Sequence, residues 1–152
     1  MFKMKGFTLI ELILILAILA IVSVLSIPFI QSFQTTSDLY TYTDSLNQTL
    51  RQAQRQAIAG KNNSAWGVYF DTGSNQFVLF KGDNYTSRDP EYDQVTDYPA
   101  AFAVSTDFGD EIYFSIYSGN PSTVGSTTIF SVNTDDSKNI IITSSGVIQL
   151  ND

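Results

Sequence analysis

Residues 5–11 read KGFTLIE, and residues 12–30 continue as LILILAILAIVSVLSIPFI. The second part has no charged residue over 19 positions. A helix of that length rises about 28 Å, close to the roughly 30 Å hydrocarbon core of a bilayer. Lys3 and Lys5 precede it, and no acidic residue does. Because positive charge stays on the cytoplasmic side, we expect one membrane span with a cytoplasmic N-terminus and an extracytoplasmic C-terminal part.

Glu11 is a residue that an ordinary membrane anchor would lack. An acidic side chain within a membrane helix costs a few kcal/mol and usually has a partner. Thr8 and Glu11 also have the spacing of a capping box, with Thr8 as the N-cap and Glu11 at the third helical position. The capping interpretation accounts for the acid locally, and it is compatible with a second role in pairing.

Gly6, the five residues after it and the apolar run resemble the class III signal of type IV prepilins and pseudopilins. The resemblance implies that a membrane peptidase cleaves between Gly6 and Phe7 on the cytoplasmic side. It would remove residues 1–6 as a leader and methylate the new N-terminal amine of Phe7. The resemblance further implies that Glu11 neutralises the Phe7 amine of a neighbouring subunit in a filament.

Two other kinds of N-terminal signal are alternatives to this one. A secretory signal peptide has a shorter apolar region, a small-residue cleavage site after it and no acid, and none of these is present. A plain signal anchor is the remaining alternative. The exported part would then be a binding or sensor module whose acidic loop holds a ligand or calcium.

Composition excludes several classes of function. The 152 residues include no cysteine and no histidine, which excludes disulfide staples, histidine-based triads and most zinc sites. The formal charge is −7, and loss of Lys3 and Lys5 with the leader leaves 6 basic and 15 acidic residues, a count of −9. Such a domain repels nucleic acid unless its basic residues cluster, so nucleic acid is not an expected partner.

Residues 7–60 predict one long helix whose first half is apolar and whose second half is amphipathic. Pro28 lies within the apolar run, where a missing backbone hydrogen bond predicts a kink. Residues 31–60 predict an amphipathic half that covers one side of a sheet. Gly60 is the expected C-terminal cap. The apolar or small residues recur at steps of three and four: Leu39, Tyr42, Leu46, Leu50, Ala53 and Ala57.

From residue 61 the pattern changes to β-structure. A hairpin is predicted for residues 67–70 and 76–80, around a turn at residues 71–75. Strands spaced this closely predict antiparallel pairing, in two small sheets packed on the helix. Further strands are predicted at residues 101–105, 111–117, 127–132, 139–143 and 147–150.

The fold class is therefore α+β, with a long N-terminal helix whose second half packs on an antiparallel β-sheet domain. Four segments follow from this organisation: a leader at 1–6, a transmembrane or filament-core helix at 7–30, an amphipathic helix half at 31–60 and a β-rich globular domain at 61–152.

A second, looser resemblance comes from the rest of the chain. The helix end LRQAQRQAI at residues 50–58 leads directly into a strand, and the chain closes with a strand, a Ser-Ser-Gly turn and a short last strand. This order is similar to that of FimT-like and GspH-type minor pilins and pseudopilins. The resemblance implies a pilin-like fold and favours a minor subunit.

One long connection, residues 82–99, is rich in acidic and aromatic side chains. Clustered carboxylates offer oxygen ligands to calcium, which makes Asp89, Glu91 and Asp93 weak candidates. The spacing matches no EF-hand template, because the glycine and the terminal glutamate are missing. A solvated, variable loop is the preferred interpretation.

The sequence contains no catalytic constellation. Asp110 and Glu111 are adjacent, so a strand directs them to opposite faces, and the serines have no histidine to activate them. We expect a structural subunit without a cofactor, not an enzyme. The resemblance implies as partners other pilin or pseudopilin subunits, the prepilin peptidase, the inner-membrane assembly platform and membrane lipid. It places the protein in the inner membrane and then in a periplasmic or cell-surface filament.

Overall fold

The computed structural model describes residues 6–134 and 136–151, with the side chains of residues 24–33 left out. Lys3 and Lys5 therefore lie outside the described residues. The side chain of Pro28 is among those left out, and the kink predicted there stays a prediction. The chain divides into two compact units, Met1–Thr36 and Ser37–Asp152.

Helix α1 covers Leu9–Ile58 and contributes to both units. Every described side chain of the first unit up to residue 23 is exposed. Within the part of the chain that the structure describes, no helix combines the length and the apolar character needed to cross a membrane. The transmembrane span stays a prediction.

In the second unit, α1 buries the predicted stripe. Leu39, Leu46, Leu50, Ala53 and Ala57 are at most 1% exposed, and a sixth stripe residue, Tyr42, packs partly buried against the same core. The predicted stripe therefore faces the core from Leu39 to Ala57. Because these positions lie three and four apart, they share one face of the helix and reach the core together.

The helix ends where the sequence predicts. Gly60 has φ +60°, and its N–H donates to the Ala57 carbonyl at 2.9 Å. A residue without Cβ adopts this left-handed conformation at little cost. The expected C-terminal cap is confirmed.

The described residues of the second unit form eight strands and two single-turn 3₁₀ helices, the latter at Lys61–Asn63 and Pro90–Tyr92. The strands are β1 Trp66–Asp71, β2 Gln76–Lys81, β3 Gln94–Asp97, β4 Phe102–Thr106, β5 Glu111–Phe114, β6 Gly125–Ser131, β7 Ser137–Ile142 and β8 Ile148–Asn151.

The strands form two four-stranded sheets. Sheet 1 has the order β3-β2-β1-β5 and sheet 2 the order β4-β6-β7-β8. All described pairings are antiparallel, and the predicted hairpin has Asp71 opposite Gln76. The α+β class and the two small sheets are confirmed.

Two strand predictions need correction. The sequence predicts a loop at residues 94–97, but these residues form strand β3, which pairs with β2. Most of its side chains are exposed, so the residues carry no alternating pattern, and backbone pairing alone makes the strand. The strand predicted at 111–117 ends at Phe114, because the chain turns at Ser115. The Ser115 N–H donates to the Asn120 carbonyl at 2.8 Å.

One hydrophobic core joins α1 to both sheets. Sheet 1 contributes Trp66, Phe77 and Phe114, while sheet 2 contributes Ile129 and Ile140. All of these side chains are at most 2% exposed. The stripe of α1 is part of the same cluster, so the helix and the sheets bury their apolar faces against one another.

Leu46→Ala tests this packing. We expect a loss of about 2–5 kcal/mol in the free energy of unfolding, because the side chain is fully buried and leaves a cavity. The exposed Gln48→Ala should change it by less than about 0.5 kcal/mol. Denaturant unfolding of the full chain in detergent can be followed by the fluorescence of Trp66, the single tryptophan. Equal midpoints for the two variants would contradict the assignment.

Candidate functional site

The N-terminal segment begins with half of a capping box. The Glu11 N–H donates to Thr8 Oγ1 at 3.3 Å, and the Leu12 N–H donates to the Thr8 carbonyl at 3.2 Å. Thr8 therefore caps α1 as predicted. Within the described residues, the Glu11 carboxylate has no hydrogen-bond or ion-pair partner and is exposed. The cap thus uses the backbone of Glu11 and leaves its charge available.

The apolar side chains that follow surround the helix. Phe7, Leu9 and Ile10 are 74–78% exposed, and the large apolar residues from 12 to 22 are 40–62% exposed. A helix that is apolar on all sides normally lies in a protein core or a membrane. This segment therefore needs an apolar cover that its own unit does not supply.

The acidic connection folds back over sheet 1. The Tyr85 ring stacks on Tyr69 at 3.8 Å and contacts Phe80 edge-on at 5.6 Å. The backbone N–H of Tyr85 donates to Glu111 Oε2 at 2.7 Å. Phe80 is fully buried as a result, and burial, followed by the field of Asp110, raises the pKa of Tyr69. Aromatic contacts therefore fix part of the connection on the sheet, while Asp83, Thr86 and Ser87 are exposed to solvent.

The three weak calcium candidates do not converge. Asp89 pairs with Lys81 at 3.1 Å and Asp93 pairs with Arg88 at 2.7 Å, while Glu91 is exposed. The hydrogen bond that the Arg88 guanidinium donates to the Asp93 carboxylate raises the pKa of that guanidinium. Among the described residues, no group of three or more acidic side chains is placed to hold a metal ion.

Among the described residues, two of the three basic side chains near the end of α1 contact groups of their own domain. Arg51 Nη2 donates to the Ile148 carbonyl at 2.6 Å, and Lys61 lies over the Trp66 ring at 5.1 Å. Arg55 is exposed between them in sequence. Because Arg51 and Lys61 serve their own domain, the helix end offers no continuous basic surface to phosphates.

Sequence reasoning missed Gln54, which ties the helix to two distant loops. Its Nε2 donates to the Gly146 carbonyl at 2.6 Å and to the Gly119 carbonyl at 3.1 Å. A Cβ built on Gly146 would lie 2.6 Å from that nitrogen, so the glycine permits the contact. A glutamine on the polar face of a helix gives no signal of such partners.

The N-terminal segment matches the family described as the prokaryotic N-terminal methylation motif, over residues 1–27. This range includes Gly6, Phe7 and Glu11. The prepilin-type signal inferred from these residues is confirmed for the N-terminal segment.

Comparison with solved structures identifies the fold. The chain is similar to the minor pseudopilin EpsH from the type 2 secretion system of Vibrio cholerae, with a TM-score of 0.59 and 14% identity over 75% of this chain and 96% of that one. It is similar to the type IV minor pilin FimU of Pseudomonas aeruginosa, with a TM-score of 0.64 and 18% identity over 79% of this chain and 92% of that one. A comparison with curated proteins gives no significant match. The fold is that of minor pilins and pseudopilins, as predicted.

The ion pairs of the acidic connection can be tested with calcium and one variant. We expect millimolar calcium to leave the unfolding midpoint unchanged. Arg88→Ala should lower the free energy of unfolding by roughly 1–3 kcal/mol, because the variant leaves the half-buried Asp93 carboxylate without its partner. Arg55→Ala, at an exposed position, is the matched control and should be neutral. A midpoint that rises with calcium would restore the metal-binding interpretation.

Proposed function

We propose that this protein is a structural subunit, a minor pilin or pseudopilin, of a type IV pilus or a type II secretion-like filament. One observation carries the proposal: the prepilin-type motif opens a helix that is apolar and exposed on all sides, in a chain whose C-terminal unit has the pilin fold. Neither part alone would distinguish a filament subunit from an anchored domain.

The exposed helix supports two successive states of the subunit, one in the membrane and one in the filament. Before assembly, residues 7–30 would lie in the bilayer, with the C-terminal unit outside the cytoplasm. After assembly, the same side chains would pack against the helices of neighbouring subunits. Each environment removes from water the apolar surface that the unit itself leaves exposed.

The free carboxylate of Glu11 supports a role in subunit pairing. In a filament core, it would neutralise the methylated Phe7 amine of a neighbour. Breaking a buried ion pair by removing one partner costs about 3–5 kcal/mol. Such a pair would set the register of apolar helices that could otherwise slide past one another.

The proposed partners follow from this life cycle. They are the prepilin peptidase, which cleaves between Gly6 and Phe7, the inner-membrane assembly platform, membrane lipid and other pilin-like subunits. No enzymatic activity is proposed. We expect no appreciable binding of duplex DNA. The formal charge after loss of the leader is −9, and the described residues form no basic patch that could bind phosphates.

Gly6→Val tests the processing step. We expect the variant to keep its leader, because a branched side chain intrudes where the peptidase must approach the backbone closely. Intact mass of membrane-extracted protein should show a chain that begins at Phe7 plus one methyl group for wild type, and at Met1 for the variant. Phe2→Val, within the leader, is the control and should be processed. A wild-type mass that begins at Met1 would support the signal-anchor alternative instead.

Glu11→Val separates pairing from capping. We expect normal membrane insertion, since the helix becomes more apolar, and a clear loss from sheared filaments, since the Phe7 amine loses its counter-charge. Thr8→Ala removes the cap and keeps the charge, so it should retain incorporation. If both variants enter filaments equally well, Glu11 has no pairing role.

A further inference from the structure

The end of α1 presents a small surface that the proposed function does not use. We call it the helix-end patch, and it consists of Arg55, Ile58 and Tyr117. Ile58 is 48% exposed and Tyr117 is 66% exposed. Arg55 and Ile58 lie three residues apart and therefore share a face of the helix. Tyr117 joins them because its N–H donates to the Ala57 carbonyl at 2.9 Å.

Tyr117 is held in a conformation that bulky residues rarely adopt. Its φ is +62°, which costs an aromatic residue free energy. Its hydroxyl donates to Asn63 Oδ1 at 2.9 Å, so both ends of the residue are fixed. A Cβ added to Gly60 would lie 2.4 Å from Tyr117 Cε1, which shows how closely the backbone supports the ring. A fixed, exposed aromatic side chain loses little entropy when a partner covers it.

Arg55 differs from the other basic side chains of this domain. Of the eight basic residues, six follow residue 37, and five of these contact groups of their own domain. Arg55 is exposed, and within the described residues it has no hydrogen bond, ion pair or ring contact. The engaged five are Arg51, Lys61, Lys81, Arg88 and Lys138. The helix-end patch therefore combines apolar groups with an available positive charge, on a protein that is otherwise acidic.

A complementary surface lies at one end of sheet 1. Asp71 and Asp97 flank Gln76 on adjacent strands, roughly 10 Å apart at the usual strand spacing. Asp110 is next to them, because its carbonyl accepts the Phe70 N–H at 2.7 Å. No basic side chain pairs with these acids among the described residues. Val95, which is 55% exposed, adds an apolar group on β3.

We propose that the helix-end patch of one subunit docks on this end of sheet 1 in a second copy of the chain. The two surfaces are different, so the contact is head-to-tail and does not form a two-fold symmetric dimer. The proposal rests on the proposed filament function, because one exposed ion pair is weak. Copies held by their N-terminal helices meet at a high effective concentration, where a weak contact suffices to orient the domains.

Cross-linking can test the contact, because the chain has no cysteine of its own. Ser118→Cys places a thiol beside Tyr117, and Thr72→Cys places one beside Asp71. The two purified full-length variants, reconstituted together at high density in lipid vesicles and oxidised, should form a disulfide-linked heterodimer. A protein that carries both thiols should form a ladder of multimers. Asn133→Cys, exposed in the turn after β6, replaces Thr72→Cys in the control mixture and should cross-link more slowly.

Charge reversal then tests the chemistry of the contact. Arg55→Glu in the Ser118→Cys chain should slow the heterodimer roughly two- to fivefold, the effect of one exposed ion pair, whereas Arg55→Lys should not. Asp97→Lys in the Thr72→Cys chain should restore the rate with Arg55→Glu. Trp66 fluorescence confirms that each variant is folded. Equal rates for the control mixture, or reversals without effect, overturn the docking proposal. Since purified protein is used, that result leaves filament incorporation unaffected, and a failure of leader cleavage would overturn the filament function alone.

Discussion

Burial of one stripe of α1 is the interaction on which the C-terminal unit depends. Apolar side chains of both sheets pack in one cluster with this stripe, and the chain has no cysteine to form a disulfide that would hold the sheets together. Fully burying a leucine contributes about 1.5–3 kcal/mol, so the three buried leucines of the stripe supply several kcal/mol. A domain of this size has a net stability of about 5–15 kcal/mol. The helix is therefore a part of the core and not an appendage to it.

Polar contacts complete this attachment where packing does not reach. Arg51 and Gln54 lie next to the buried stripe and donate to main-chain carbonyls 97, 92 and 65 residues away. These bonds tie β8 and two loops to the helix. Buried or half-buried carbonyls are costly when unpaired, so each bond stabilises the loop or strand whose carbonyl it reaches.

The sequence predicts the parts of this structure whose signals are local. The helical steps from Leu39 to Ala57, the β1–β2 hairpin and the N-terminal motif all depend on neighbours in the chain, and all are confirmed. The missed features depend on distant partners. Strand β3 forms because β2 offers it a backbone edge, and Tyr85 becomes part of the fold because Tyr69 and Glu111 receive it. Neither the exposed residues of β3 nor a tyrosine in an acidic loop specifies such a partner.

The distribution of charge follows from the same internal contacts. Lys81 and Arg88 neutralise Asp89 and Asp93, and thereby remove two of the three calcium candidates from any metal site. The cations that fix this connection are then no longer available to the surface, which leaves Asp97 and Asp110 without basic partners among the described residues. Since like-charged surfaces repel, an assembly of such domains requires either an apolar attachment elsewhere in the chain or a local positive charge. In the proposed filament, the exposed N-terminal helix would supply the first, and Arg55 at the end of α1 would supply the second.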